Sequence, residues 1–167
     1  GQLADGIRTG KHPIIPEVTR AESVSHFVPF YAYRALAPQR SIHRYDGYWQ
    51  ALQVEPRGGL QILDLACGVG IASYALALQH PGVRVTLQDW PAMLEFALQA
   101  AQKLGVEQQV TILPGDMFAV DYGQDKFDIA RLGFVTYFFG PDDLAKLFHR
   151  VHAALKPGGI LVVDAPL

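Results

Sequence analysis

The stretch LDLACGVG, from Leu63 to Gly70, decides the fold of this chain. An apolar run ends at Leu65, and Gly68 and Gly70 follow it before an amphipathic stretch begins. Glycines in this place allow a tight turn and let a ligand approach the backbone. The helix after such a turn begins with free N–H groups and a positive dipole end, which favour a carboxylate or a phosphate. We therefore expect an anionic part of a ligand at this turn.

Around this stretch, short apolar runs alternate with amphipathic segments. Strands are predicted at residues 60–65, 84–88, 109–113, 127–132 and 159–164, and helices at 70–80, 91–104 and 141–155. Strands that alternate with helices are typical of a parallel sheet with crossover helices. The prediction is an α/β fold with a Rossmann-like parallel sheet in the order 3-2-1-4-5 and helices on both faces. We expect the sequence Pro157-Gly158-Gly159 to end the last helix.

The segment before the sheet has a different character. Residues 1–20 are expected to be an extended lead-in, followed by helices at 22–37 and from Ser41, a possible N-cap, to about Val54. The turn that begins at Pro56 divides the chain into an N-terminal helical segment (1–56) and a sheet domain (57–167). The segment is rich in aromatic residues: Phe27, Phe30, Tyr31, Tyr33, Tyr45, Tyr48 and Trp49. These pack between helices or line a pocket for a flat apolar ligand.

Composition excludes several classes of protein. The 167 residues are 50% hydrophobic and 18% charged, with a formal net charge of -2. The chain has no run of Lys and Arg, which argues against nucleic acid as a partner. No apolar stretch reaches the roughly 20 residues that cross a bilayer. Cys67 is the single cysteine, and the N-terminus lacks a signal-peptide pattern, so we expect a cytoplasmic protein without internal disulfides.

Two acidic positions follow predicted strands. Asp89 ends the second strand, where a carboxylate can accept hydrogen bonds from both ribose hydroxyls of an adenosine. Asp116, just after the third strand, can accept from an adenine amino group, while Met117 and Phe118 offer an apolar slot for the ring. The alternatives are an ordinary exposed Asp before Pro91 and a simple turn followed by core residues.

The glycine turn and Asp89 suit either NAD or S-adenosylmethionine. A dinucleotide fingerprint has a third small glycine-like residue three positions after Gly70, where this chain has Ser73. The dinucleotide fingerprint is therefore incomplete, and an NAD-dependent oxidoreductase stays open as an alternative.

Residues 60–164 resemble the class I S-adenosylmethionine-dependent methyltransferases. More narrowly, they resemble the small-molecule O-methyltransferases related to the plant caffeate and acetylserotonin enzymes. The matching stretches are LDLACGVG, QDWP, GDMF, FDIARL and ALKPGG. The lead-in LADGIRTGK resembles the segment in which that family leaves its N-terminal dimerisation region.

The resemblance implies S-adenosyl-L-methionine as cofactor, S-adenosyl-L-homocysteine as product, a small-molecule substrate and a homodimer. Gly68 and Gly70 would face the amino acid part of the cofactor, Asp89 would hold the ribose, and Asp116 and Met117 the adenine. The matching stretches complete the predicted cofactor set with Asp64, Ala66, Trp90, Phe118 and Arg131.

This sequence departs from the family pattern where a catalytic base is expected. Tyr137 stands in place of the family's usual His, and Gly133 in place of a common Lys. Tyr137 is the candidate catalytic residue, as a base or to orient the substrate, with packing beside Phe138 as the alternative. His26 and His43 could reach a pocket, and His149 and His152 are too few ligands for a metal site.

The predicted acceptor wall is formed by aromatic residues: Tyr45, Tyr48, Trp49 and Phe138. The predicted function is methyl transfer to a small aromatic or polyketide-like molecule, with O-methylation favoured and N- or C-methylation open. A family member that binds the cofactor without transferring methyl is the alternative. The resemblance also implies a further helix and two strands after Leu167. We expect these, or a partner, to cover the apolar fifth strand.

Overall fold

The computed structural model describes residues 21–45, 47–54 and 59–164, together with Ala4 and Arg8. Most of the expected lead-in, the segment LADGIRTGK and the turn at Pro56 lie outside the described residues. The division of the chain between residues 56 and 57 therefore stays a prediction.

The elements follow one another in the alternation that the sequence predicts. Within the described residues, the α-helices are α1 (Val28–Leu36), α2 (Gln39–Ile42), α3 (Tyr48–Ala51), α4 (Ile71–Gln79), α5 (Pro91–Leu104) and α6 (Pro141–Ala154). The strands are β1 (Gln61–Leu65), β2 (Arg84–Asp89), β3 (Val110–Pro114), β4 (Phe127–Gly133) and β5 (Leu155–Asp164). Short 3-10 helices cover Ala21–His26, His43–Tyr45, Glu107–Gln109 and Thr136–Phe138.

The five strands form one parallel sheet in the order β3-β2-β1-β4-β5, which confirms the predicted order. β1 lies at its centre, with Leu63 opposite Thr86 of β2 and Ala130 of β4. Helices cover both faces of a parallel sheet, so its inner strands bury side chains on both sides. That is why β1 is apolar throughout except for Gln61 and Asp64.

Proline and glycine set the ends of the long helices. Pro91 and Pro141 occupy the first turns of α5 and α6, where a missing N–H costs nothing. Gly105 ends α5 in the left-handed conformation. The predicted end of α6 at residue 155 was one residue too late, and β5 begins at Leu155 rather than at 159. Lys156 precedes Pro157, and a residue before proline is disfavoured in the helical region.

The N-terminal helices are shorter than the sequence indicates. The predicted helix 22–37 is a 3-10 turn followed by α1, and the predicted helix 41–54 was wrong. Its place is taken by α2, a 3-10 turn and α3. Pro38, not Ser41, occupies the N-cap position of α2, because its fixed φ starts the helix at once. Gly47 precedes α3 and interrupts the helical run.

The aromatic N-terminal segment is anchored on the helices that flank the sheet. The Trp49 indole N–H donates to the Ala72 carbonyl of α4 at 2.7 Å, and the Trp49 side chain is 2% exposed. Lys103 of α5 donates to the carbonyls of Ala35 and Leu36 at 3.2 and 3.0 Å. These bonds attach the N-terminal segment to α4 and α5.

We expect Trp49→Phe to lower the free energy of unfolding by about 1–3 kcal/mol, because it removes a buried hydrogen bond and leaves space beside α4. Urea denaturation followed by circular dichroism measures the change. Tyr33→Phe is the matched control, since Tyr33 is 64% exposed. Equal stability of the two variants would contradict the anchoring role of Trp49.

Candidate functional site

A cavity of about 820 Å³ opens at the carboxyl ends of the strands, beneath the N-terminal segment. In open α/β sheets, ligands bind at this edge. Eleven of the fifteen predicted site residues line the cavity: Tyr45, Tyr48, Ala66, Asp89, Trp90, Asp116, Met117, Phe118, Arg131, Tyr137 and Phe138. The other four lie outside its lining: Trp49, Asp64, Gly68 and Gly70.

The turn after β1 has an unusual backbone. Ala66, Gly68 and Gly70 have φ values of 48°, 57° and 72°, in the left-handed region. Such a conformation is uncommon for a residue with a side chain, as at Ala66, and strain of this kind gathers at functional sites. A Cβ on Gly68 would lie 2.5 Å from Cε1 of Tyr31, so only glycine fits between the turn and α1. Tyr31 also lines the cavity, which is one of the two roles that the sequence left open for the N-terminal aromatic residues.

The Asp89 carboxylate is hydrogen-bonded to the backbone of this turn. One oxygen accepts from the Gly68 N–H and the other from the Trp90 N–H, both at 2.8 Å. Burial raises the pKa of Asp89 to about 6, although these two N–H groups act to lower it. Asp89 is thus a carboxylate that titrates near neutral pH at the wall of the cavity.

Gln88 holds two loops of the site together, and sequence reasoning missed it. Its side chain is buried, donates to the Gly115 carbonyl at 2.6 Å and accepts from the Ala66 N–H at 3.4 Å. The turn after β1 and the loop after β3 are therefore fixed to the strand between them. A polar residue inside the apolar run of β2 was the signal for this role.

The loop after β3 presents Asp116, Met117 and Phe118 to the cavity. Asp116 accepts from the Phe118 N–H at 2.9 Å, and Tyr122 donates to the Met117 carbonyl. The Phe118 ring packs edge-on against Phe139 at 4.9 Å between centroids. The loop is therefore held by its own polar contacts, and its apolar side chains remain available at the wall.

A buried chain of polar contacts crosses the sheet behind the cavity. Asp64 is fully buried and accepts from the Ser73 hydroxyl at 2.6 Å and from Arg131 at 3.0 Å. Arg131 also donates to Asp164 at 2.5 Å, and the Tyr48 hydroxyl donates to the other oxygen of Asp164 at 2.8 Å. The Asp64 side chain is thus directed into the sheet, whereas Arg131, Asp164 and Tyr48 line the cavity.

Burial raises the pKa of Asp64, and the Arg131 guanidinium offsets part of that rise. For Arg131, burial acts to lower the pKa, but Asp64 and Asp164 outweigh it and raise the value. Burial also raises the pKa of Tyr48, so this phenol is held neutral. Asp164 was not among the residues that the sequence singled out, because it follows an apolar strand without a recognisable motif.

Three of the four residues predicted to form the acceptor wall line the cavity. Tyr45 and Tyr48 meet edge-on at 5.5 Å between ring centroids, and Phe138 joins them in the lining. Trp49 packs in the core instead. Tyr137 lines the cavity, is 57% exposed and contacts the Phe138 ring at 4.3 Å between centroids.

Three absences hold for the part of the chain that the structure describes. Its residues contain no group of three His, Cys, Asp or Glu side chains that could hold a metal ion. None of its histidines lines the cavity, so His26 and His43 do not reach it. Among the same residues, no helix has the length and apolar character needed to cross a membrane.

Comparison with known proteins connects this site to a family. The family model described as a methyltransferase domain matches residues 62–159, more than half of the chain. Carboxy-S-adenosyl-L-methionine synthase of Chromohalobacter salexigens is 33% identical over 111 residues, which cover 65% of this chain and 40% of the relative. The mitomycin biosynthesis 6-O-methyltransferase of Streptomyces lavendulae is 30% identical over 108 residues, 64% of this chain and 30% of the relative.

A solved structure from Nostoc punctiforme, described as that of a candidate O-methyltransferase, superposes with a TM-score of 0.80 at 26% identity. The match covers 96% of this chain and 47% of that one. The chain therefore spans less than half the length of these relatives. With the fold, the glycine turn and the family match in agreement, this chain belongs to the methyltransferase domain family, whose cofactor is S-adenosylmethionine.

Proposed function

We propose that the protein transfers the methyl group of S-adenosylmethionine to a hydroxyl of a small aromatic or polyketide-like molecule. One observation carries the proposal: the left-handed glycine turn and the Asp89 carboxylate are joined by the 2.8 Å bond from Gly68. Both stand at one end of a cavity that aromatic side chains also line, among them Tyr45, Tyr48 and Phe138. The O-methyltransferase among the relatives supports hydroxyl oxygen as the acceptor atom.

The residues present fit the cofactor. The turn after β1 lines the cavity through Ala66, Cys67 and Val69, and the amino acid part of the cofactor would lie against it. Each Asp89 oxygen accepts one backbone N–H and retains a second lone pair for a ribose hydroxyl. Asp116 and Met117 lie in the lining beyond β2, where the adenine would follow the ribose. When bound, S-adenosylmethionine supplies an activated methyl group on a positively charged sulfur.

The remaining wall suits a flat acceptor. Tyr45, Tyr48 and Phe138 can pack against an aromatic ring and exclude water from it. Methyl transfer is an in-line displacement, so holding the acceptor oxygen in position supplies much of the rate. Tyr137 keeps its predicted role of orienting the substrate or removing its proton, and the homodimer and the cytoplasmic location also stay predictions.

A second candidate is a protein that binds S-adenosylmethionine without transferring its methyl group. Two observations favour keeping it: no histidine of the described residues lines the cavity, and one relative is named a synthase rather than a methyltransferase.

Calorimetric titration tests the proposed cofactor. We expect S-adenosylmethionine and S-adenosylhomocysteine to bind and NADH not to bind; tighter binding of NADH would contradict the proposal. The activity is tested by following labelled methyl transfer to phenols, catechols and amines. Binding without transfer to any of them would favour the second candidate.

The pKa of Asp89, about 6, predicts a pH-dependent affinity. The ionised carboxylate accepts from two hydroxyls and the protonated acid accepts less well, so S-adenosylmethionine should bind more weakly as the pH falls through 6. Asp89→Asn should weaken binding by about 1–3 kcal/mol at pH 8 and remove this pH dependence. Calorimetry between pH 5 and pH 8 measures both, with the exposed Asp143→Asn as control. An Asp89→Asn variant with unchanged affinity would remove the ribose assignment.

Two variants compare a left-handed glycine that packs against Tyr31 with a left-handed glycine that has open space around it. Gly68 and Gly105 both have left-handed backbones, with φ values of 57° and 72°. A Cβ would meet Tyr31 at Gly68 but nothing within 4 Å at Gly105. We expect Gly68→Ala to abolish measurable binding of S-adenosylmethionine, whereas Gly105→Ala should lower stability by about 1 kcal/mol and leave binding intact. Similar affinities for the two variants would show that the packing of Tyr31 on the turn is not needed for cofactor binding.

A further inference from the structure

The wall of the cavity at the ends of β4 and β5 carries a cluster of hydrogen-bonded polar side chains. Tyr48, Arg131 and Asp164 all line the cavity there. The Tyr48 hydroxyl donates to one oxygen of Asp164 at 2.8 Å, and Arg131 donates to the other at 2.5 Å. The Asp164 side chain is 15% exposed, so its carboxylate is fixed and largely shielded from water.

The sheet order separates this group from Asp89 and Asp116, the carboxylates expected to hold the ribose and the adenine. Asp89 and Asp116 follow β2 and β3, on one side of the central strand β1. Arg131 and Asp164 belong to β4 and β5, on the other side. A cofactor that extends from the turn after β1 towards β3 leaves the β4 and β5 side of the cavity for the acceptor molecule. Among the residues that the structure describes, Asp164 is the one carboxylate of the lining on this side.

We propose that Asp164 is the final proton acceptor for the acceptor hydroxyl and that Tyr48 relays the proton to it; this inference rests on the proposed function. The acceptor oxygen forms a bond to the methyl carbon while the carbon–sulfur bond breaks and its electron pair stays on sulfur. The hydroxyl proton passes to the Tyr48 oxygen as the Tyr48 proton passes to Asp164. One positive charge on sulfur and one negative charge on Asp164 disappear together, so atoms and charge balance.

The charge arrangement allows Asp164 to take up a proton. Arg131 is paired with Asp64 at 3.0 Å as well as with Asp164. When Asp164 becomes neutral, the buried guanidinium keeps its second carboxylate and is not left uncompensated. Losing the only partner of a buried charge costs much more. Because of the second ion pair, the Arg131 guanidinium keeps a carboxylate partner throughout the proposed step.

Methyl transfer to a hydroxyl does not require a base stronger than a carboxylate. The acidity of a hydroxyl rises steeply as its oxygen is alkylated, so a carboxylate in position can receive the proton late in the displacement. Tyr48 suits a relay because a neutral phenol both donates and accepts. Burial raises the pKa of Tyr48 and keeps it in that neutral form.

Gly133 makes room for this arrangement. A Cβ at Gly133 would lie 2.5 Å from one terminal nitrogen of Arg131 and 2.7 Å from the other. A larger residue there would push the guanidinium off Asp164. The absence of a side chain at Gly133 thus allows Arg131 to reach Asp164.

The experiment compares Tyr48→Phe and Asp164→Asn with the wild-type protein. Single-turnover transfer of labelled methyl from S-adenosylmethionine to catechol is measured, and the affinity for S-adenosylmethionine is measured by calorimetry. We expect both variants to slow transfer by about 10²- to 10⁴-fold. We expect the affinity to stay within about twofold, which also shows that the variants are folded. Asp164→Glu should restore part of the rate.

A second acceptor separates proton transfer from a purely structural role. The second acceptor is 4-nitrocatechol, and transfer to its hydroxyl para to the nitro group is followed, because that oxygen is already ionised near neutral pH and has no proton to give. Both variants should therefore lose much less of their rate with 4-nitrocatechol than with catechol. Equal losses with the two acceptors would overturn the proposal, because packing damage would affect both alike.

Matched controls remove the same groups elsewhere. Asp128→Asn removes a carboxylate that is paired with Lys156, and Tyr33→Phe removes an exposed hydroxyl; neither residue lines the cavity. Both controls should keep the wild-type rate. A loss found in Tyr137→Phe but not in Tyr48→Phe or Asp164→Asn would overturn the proposal. So would a wild-type protein that binds the cofactor but methylates amines and no hydroxyl, whereas failure to bind the cofactor would instead overturn the proposed function.

Discussion

The buried ion pairs of Arg131 with Asp64 and Asp164 are the constraint on which the site depends. They join β1, β4 and β5 at the carboxyl ends of the strands, at 3.0 and 2.5 Å. Buried charges are tolerated when each has a partner, and removing one partner typically costs about 3–5 kcal/mol. The register of these three strands and the position of the cavity wall are therefore tied to one guanidinium.

This constraint extends to both sides of the sheet. Ser73 of α4 donates to Asp64, and Tyr48 of α3 donates to Asp164. A helix beside the sheet and the aromatic N-terminal segment are thus fixed by the same chain of contacts. Trp49, next to Tyr48, adds its bond to α4. The segment that covers the cavity is thus positioned by polar bonds as well as by apolar packing.

The cofactor side of the cavity follows a different principle. There the backbone is strained at Ala66 and Gly68, and neighbouring strand ends hold it in place through Gln88 and Asp89. The glycine at position 68 leaves the backbone of the turn without a side chain. Burial raises the pKa of the Asp89 carboxyl. A rigid, shaped turn and a carboxylate of altered acidity are what differential binding of a charged ligand requires.

The sequence by itself determined the parallel sheet, its strand order and the edge at which the site lies. The period of the apolar residues and the positions of glycine and proline are local signals that indicate strands, helices and turns. The carboxyl ends of parallel strands must lie at one edge of the sheet, and ligands bind there. This is why Asp89 and Asp116 could be predicted at the cavity, although their roles stay proposals.

Only the tertiary structure decided which aromatic residues face the cavity, where Trp49 packs and which side chain pairs with Arg131. Tyr31 and Trp49 both lie in short helices whose orientation depends on their contacts with distant helices, and Asp164 lies 33 residues after its arginine partner. No local pattern encodes contacts between side chains so far apart in the chain, because they form only when the strands have been brought side by side.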